Sequence, residues 1–147
     1  MIYRTGNCLC GAVEYRIAGE PLTSRICWCQ VCQKISGNGT ANAIFPSSAI
    51  EITGLLGCFT STADSGNRIS RYFCPSCGSH LFANSSAAPQ FRVVRIGTLH
   101  DPSSIKPEVN IWSSSAPSWA CMDQSLTLVA QQPAPPQEPA RPSKDGT

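Results

Sequence analysis

The chain has 147 residues, a formal charge of +2, 14% charged residues and 7% aromatics. There is no Lys/Arg run, so a nucleic-acid surface or an anionic-membrane surface is not indicated, and the aromatics are too few for a base-stacking platform. The length suits one domain that can bury a real core.

The first segment, MIYRTGNCLCGAV, has no apolar leader region and no cleavage signal, and no apolar stretch reaches the span of a membrane helix. The expectation is a cytoplasmic protein whose thiols stay reduced. Residues 13 to 17 then alternate, with Val13, Tyr15 and Ile17 set against Glu14 and Arg16, the pattern of a half-buried strand. A short helical turn is expected after Cys29, ending near Gly37. AIEIT places Ile50 and Ile52 on one face of a strand, and RISRYF and FRVVRIGTL alternate less cleanly. Gly, Pro, Ser and Asn punctuate these runs, and no repeat of the solenoid kind is visible. The fold expected from these runs is mainly β: a single domain of short strands spanning residues 1–130, with cysteine clusters where its turns should be. From Gln131 the composition changes. QQPAPPQEPARPSKDGT holds five of the twelve prolines and no aliphatic residue larger than Ala, so residues 131–147 read as a disordered Pro-rich tail.

Seven of the nine cysteines fall into three groups: Cys8 and Cys10 in GNCLCG, Cys27, Cys29 and Cys32 in CWCQVC, and Cys74 and Cys77 in FCPSCGS. In a reducing compartment, cysteines this close together point to metal ligation or catalysis rather than disulfides. CPSCG has the form of a zinc knuckle. A structural zinc site is closed by four ligands, whereas a catalytic one keeps three and leaves a position open. Two plus two closes one site, and the remaining three make an open one. Thiolate-rich ligation favours zinc over magnesium or calcium, and an iron–sulfur cluster would want four cysteines where the trio has three. The count does not say which pairs close the structural site, nor whether Cys58, Cys121, His80 or His100 completes the trio. Cys58 and Cys121 have no partner at ligand spacing and are expected to pack as small buried apolar residues. Arg25, Lys34, Arg68 and Arg71 flank the clusters, either receiving carboxylates or, for most of them, standing as solvated charges.

Taken together, GNCLCGAVEYRI, CWCQVCQKISG, RYFCPSCGSHLF, RIGTLHDP and APSW resemble the glutathione-dependent formaldehyde-activating enzyme family, whose domain also occurs in centromere protein V. The resemblance implies a fold of several small coiled β-sheets around zinc knuckles and two zinc ions per chain. The structural one would sit on Cys8, Cys10, Cys74 and Cys77, and the catalytic one on Cys27, Cys29 and Cys32. It implies condensation of a thiol, glutathione or similar, with a small carbonyl compound, an activity of carbon–sulfur lyase type (S-(hydroxymethyl)glutathione synthase-like). The chain departs from the family pattern in two places. Trp28 stands where the trio often carries a histidine, and His100 separates Gly97, Thr98 and Leu99 from Asp101. His100 is therefore a further candidate catalytic residue, and Trp28 a residue that shields the metal, stacks on substrate or packs. The partners expected are small molecules, with no nucleic acid and no membrane. The same open site could instead polarise a carbonyl or activate water, giving a hydrolase or isomerase. A non-catalytic zinc scaffold is the rival from another class.

Overall fold

The computed structural model describes residues 1–138, so the part of the Pro-rich segment from 139 onward lies outside the described residues. The chain is mainly β. A three-stranded antiparallel sheet is formed by β1 (Tyr3–Asn7), β2 (Glu14–Ala18) and β5 (Ile50–Thr53), in the order β1-β2-β5. The second sheet has eight strands. They are β3 (Thr23–Cys27), β4 (Thr40–Pro46), β6 (Gly57–Thr62), β7 (Arg68–Phe73), β8 (His80–Ser85), β9 (Phe91–Arg95), β10 (Val109–Ile111) and β11 (Thr127–Val129). Their spatial order is β11-β10-β3-β4-β9-β8-β7-β6, and β10 runs parallel to both β3 and β11. One helix, α1 (Gln30–Ser36), follows β3, and it closes at Gly37 in the left-handed region (φ 78°), where a glycine carries no Cβ penalty.

The period-2 reading of β2 explains how the two sheets meet. Tyr15 and Ile17 point inward while Glu14 and Arg16 face solvent. The inward side packs with Val13, Phe45, Leu81, Phe82 and Val94 in one core cluster. Burial of each such side chain stabilises by about 1.5–3 kcal/mol. The Tyr15 ring meets Phe82 edge-on at 5.0 Å, and its hydroxyl pairs with Thr98 Oγ1 at 2.7 Å. A smaller cluster lies at the other end of the eight-stranded sheet, around Trp28, Ile111, Trp112 and the cysteine trio. No helix among the described residues is long and apolar enough to cross a membrane.

Candidate metal centres

Cys8 and Cys10 leave the end of β1, and Cys74 and Cys77 lie in the turn from β7 to β8. All four Sγ atoms lie within 4.8 Å of one another. Cys10 Sγ stands 3.7 Å from both Cys8 Sγ and Cys74 Sγ. A tetrahedron with metal–sulfur bonds of about 2.3 Å has edges of about 3.8 Å, so the donor set fits one tetrahedral ion. The backbone is already folded around that centre. In the CPSCG turn, Gly78 N–H donates to Cys74 O at 2.8 Å, and Cys74 N–H donates to Ser79 O at 2.9 Å. Gly78 takes φ 76°, which a side chain would strain. Val13 N–H donates to Cys8 Sγ at 3.3 Å, and Ser79 Oγ sits 3.3 Å from Cys77 Sγ. The Ser79 hydroxyl and amide pull the Cys77 thiol down to about 5, towards the thiolate that a metal requires.

The second cluster is local in sequence. Cys27 ends β3, Cys29 is the N-cap of α1, and Cys32 lies in its first turn. The Cys29 sulfur accepts the Cys32 amide at 3.3 Å, an N-cap bond that puts both sulfurs on one side of the turn. The three Sγ atoms lie within 4.8 Å of one another and all three residues are buried. Hydrogen bonds from Cys27 and Cys29 push the Cys32 thiol well down, and the Arg95 charge and the Thr40 hydroxyl act in the same direction. The same contacts with Cys29 and Cys32, together with burial, raise the Cys27 thiol. Among the described residues no fourth cysteine, histidine or carboxylate joins this group. Both clusters can hold a metal ion, and their all-sulfur donors suit zinc.

The trio forms part of the wall of a cavity of about 130 Å³. Ile69, Ala83, Val93 and Ile111 give it apolar wall, and Arg25, Asn42, Arg71 and Arg95 give it polar groups. Sheet register assembles it. Cys27 lies opposite Ile111, Arg25 opposite Asn42, and Asn42 opposite Arg95 on successive strands. Asn42 is held from both sides, donating to Thr40 Oγ1 and accepting from Arg95 Nη1. Trp112 lines the same cavity in the left-handed region, at φ 55°, a conformation that is an outlier for a bulky residue. Its indole N–H donates to Gln132 Oε1 at 2.9 Å, and its amide donates to Gln131 O. Gln132 also lines the cavity, so contacts with the site run two residues past the boundary expected at 130.

Several expected positions lie elsewhere. His100 is exposed, faces Thr5 with Nδ1 2.8 Å from its Oγ1, and does not line the trio cavity. The reason is alternation: Leu99 bridges to Gly6 and points into the core, so its neighbour points out. Trp28 is buried and also stands off the cavity. It donates from Nε1 to Asn110 Oδ1 at 3.3 Å, and its ring lies where a side chain on Gly39 would be. Packing is therefore what the structure assigns to Trp28. His80 stacks on Phe73 at 5.6 Å, with Nδ1 buried and unpartnered among the described residues. Burial, then the Arg95 and Arg71 charges, lower its pKa. Cys58 and Cys121, expected to be buried, are exposed. Lys34 and Arg68 are solvent-facing charges, whereas Arg71 is 4% exposed and Arg95 8%. Arg95, Asn42 and Trp112 carried no local signal in the sequence, because only strand pairing brings them to the trio.

The sequence model of the family described as glutathione-dependent formaldehyde-activating enzyme matches residues 3–115, a span that contains all seven clustered cysteines. Among solved structures, the chain is similar to a Rhodobacter sphaeroides protein. That match has 25% identity, a TM-score of 0.51, and covers 70% of this chain and 91% of the other. No curated protein matches the chain. With the family match running over most of its length and both cysteine clusters inside it, the chain belongs to the glutathione-dependent formaldehyde-activating enzyme family.

Proposed function

We propose that the protein is a zinc-dependent carbon–sulfur lyase-type enzyme that joins a thiol, glutathione or similar, to a small carbonyl compound at the Cys27, Cys29 and Cys32 centre. The observation that carries this reading is the contrast in ligand number. Four sulfurs surround one centre, while three surround the other and border a cavity. Cys8, Cys10, Cys74 and Cys77 would hold a structural ion, and Cys27, Cys29 and Cys32 a catalytic one. Bound at the trio, zinc supplies the positive charge that lets an added thiol ligate as thiolate at neutral pH.

The chain's own residues do the rest. The apolar wall of Ile69, Val93 and Ile111 limits water around the reacting atoms, and Asn42, fixed by Thr40 and Arg95, presents a polar edge. In the condensation, the thiol gives up its proton and its sulfur forms a bond to the carbonyl carbon. The π pair moves to oxygen, and that oxygen takes a proton, so thiol and aldehyde become a hemithioacetal with no atom left over. Holding the two reactants together is the main source of acceleration.

The test is the rate at which glutathione and formaldehyde reach their adduct, followed by NMR with metal-loaded protein. Acceleration over buffer that Cys32→Ser abolishes is the expected result. A wild-type rate equal to buffer would remove formaldehyde condensation from this chain.

A further inference from the structure

The trio cavity contains more cationic charge than its cysteines account for. Arg25, Arg71 and Arg95 all line it. Arg71 and Arg95 are more than nine-tenths buried. A buried guanidinium is costly unless an anion or a full set of acceptors answers it. Apart from the trio's own sulfurs, neither is present among the described residues. The ion pair found there is Arg4 with Glu20, on another part of the surface. Of the five N–H donors on each guanidinium, Arg71 places one on Ser61 Oγ at 3.0 Å and Arg95 one on Asn42 Oδ1. Arg95 Nε is buried without a partner, and Arg25 makes no side-chain hydrogen bond among the described residues. Asp64 is the carboxylate at this cavity, but it is exposed at the rim and accepts the Gln30 amide at 3.2 Å.

The thiolates do not balance this charge once the trio is loaded. Three thiolates around a divalent ion leave a single negative charge, against three guanidiniums. The remainder is two positive charges, which a ligand carrying one thiolate and one carboxylate would neutralise. Planar guanidiniums suit a carboxylate, which takes parallel N–H bonds from the fork. Size agrees. A cavity of about 130 Å³ is close to the roughly 150 Å³ that accommodates benzene, so its enclosed part takes a short mercaptocarboxylate or the corresponding end of a longer thiol.

Building on the thiol reading above, we propose that Arg71 and Arg95, with Arg25 beside them, form a carboxylate-binding subsite that selects thiols bearing a carboxylate within a few bonds of the sulfur. No bond is made or broken at this subsite. It positions the thiol so that sulfur and carboxylate are held at the same time.

The test uses the full chain with cobalt at the trio and three probes: 3-mercaptopropionate, 2-mercaptoethanol and 3-(methylthio)propionate. The two thiols are titrated by their effect on the cobalt spectrum, and the thioether by calorimetry. The mercaptocarboxylate should bind about 10- to 100-fold more tightly than the neutral thiol, the range of one charge-assisted hydrogen-bonded pair. Arg71→Met should collapse that ratio towards one while metal content stays at the wild-type value, and Arg71→Lys should restore part of it. Equal affinity of the two thiols for the wild type would overturn the subsite, and that comparison requires no variant to fold. Loss of metal from Arg71→Met would also overturn it, making the arginine a counter-ion of the thiolates. The thioether separates this inference from the thiol reading. If neither thiol alters the cobalt spectrum, yet 3-(methylthio)propionate binds and Arg71→Met abolishes its binding, the subsite stands and sulfur–metal ligation falls. If the thioether fails to bind as well, both fall.

Discussion

The two cysteine clusters present the same donor atom in opposite surroundings. The cluster of Cys8, Cys10, Cys74 and Cys77 takes two sulfurs from the end of β1 and two from the β7–β8 turn, so an ion held there would tie the three-stranded sheet to the eight-stranded one. Its backbone is bonded to itself through Ser79, Gly78 and Val13, and no guanidinium is among the groups that shift its thiols. The trio comes from six consecutive residues, ties together only β3 and α1, and sits against three arginines and a cavity. A metal that joins distant segments contributes to folding, whereas one that joins neighbours contributes little to it and is free to serve chemistry. What separates the two sites is where the ligands come from and what surrounds them, more than the ligands themselves.

The strongest way to break that comparison is to remove one sulfur from each site. Cys74→Ser opens the bridge between the sheets. Structural zinc contributes on the order of 10 kcal/mol in small zinc-dependent domains, as much as the whole stability of an ordinary domain, roughly 5–15 kcal/mol. The variant should be largely unfolded or insoluble, as seen in near-UV circular dichroism and in the soluble fraction. Cys32→Ser should remain folded, melt within a few degrees of wild type, and retain about half of the bound metal by elemental analysis. Equal loss of fold in the two variants would remove the division into a structural and an open site.

A milder perturbation is pH. Metal ligation requires thiolates, so protons compete for every ligand and affinity falls as pH falls. The four-sulfur site has one more ligand than the trio, and its ligands come from two sheets that the fold itself holds together. The trio should therefore release its ion first, at the higher pH of the two, when the protein is titrated downward in the presence of a chromogenic chelator. Two release steps are expected, with the fold surviving the first and not the second. A single step in which metal and near-UV signal vanish together would mean that the sites are not independent.

How much of this was legible in the sequence follows from how far each signal reaches along the chain. C-x-C, C-x-x-C and the tight trio are local spacings, so the seven cysteines could be grouped by eye, and the alternation of Val13, Tyr15 and Ile17 gave β2 and its buried face. The helix after Cys29 and its stop near Gly37 were legible for the same reason. Arg25 and Arg71 were legible only as neighbours of the clusters able to receive carboxylates, and Arg95 was not legible at all. Arg71 and Arg95 sit in strands whose pattern does not reveal which face is dry, and the partners that define the cavity are fixed by the register of β3, β4, β9 and β10. Trp112 looked like one more aromatic, because nothing local shows that it takes a positive φ. His100 drew attention by its place in the GTLHDP stretch, and only the bridge between Leu99 and Gly6 shows that its side chain lies beside Thr5 and outside the trio cavity.

Trp112 gives an intermediate test on the trio's side of the comparison. Trp112→Phe keeps most of the apolar ring against the cavity but loses the 2.9 Å bond from Nε1 to Gln132. The loss should be about 1 kcal/mol, the usual net value of such a bond, read as a lower urea midpoint with an unchanged slope. Metal content should not change, because the indole is not a ligand. A fall in metal content would mean that Trp112 and the 131–132 segment hold the trio's shape.

The smallest effect is expected at His100, and the test is whether the open site stays confined to its own cavity. His100 is exposed, with its ring nitrogen 2.8 Å from Thr5 Oγ1 at the end of the three-stranded sheet. That bond is solvent-facing, so its removal should cost at most about 1 kcal/mol. Its neighbour Leu99 belongs to the core, and His100 does not line the trio cavity. His100→Ala should therefore leave metal content, the affinity of a mercaptocarboxylate and the rate of adduct formation each within about two-fold of wild type, since a surface substitution away from special features rarely exceeds about 0.5 kcal/mol. The informative measurement is the pH profile of adduct formation from pH 5 to 8, the range in which an ordinary histidine titrates. If His100 takes no part, wild type and variant share one profile, set by the thiols. If the variant lost a limb of the profile near the usual histidine pKa, His100 would be acting on the reaction in spite of its place on the surface. The site would then have to extend past the cavity described here, through a conformation in which the 97–102 segment folds over the trio.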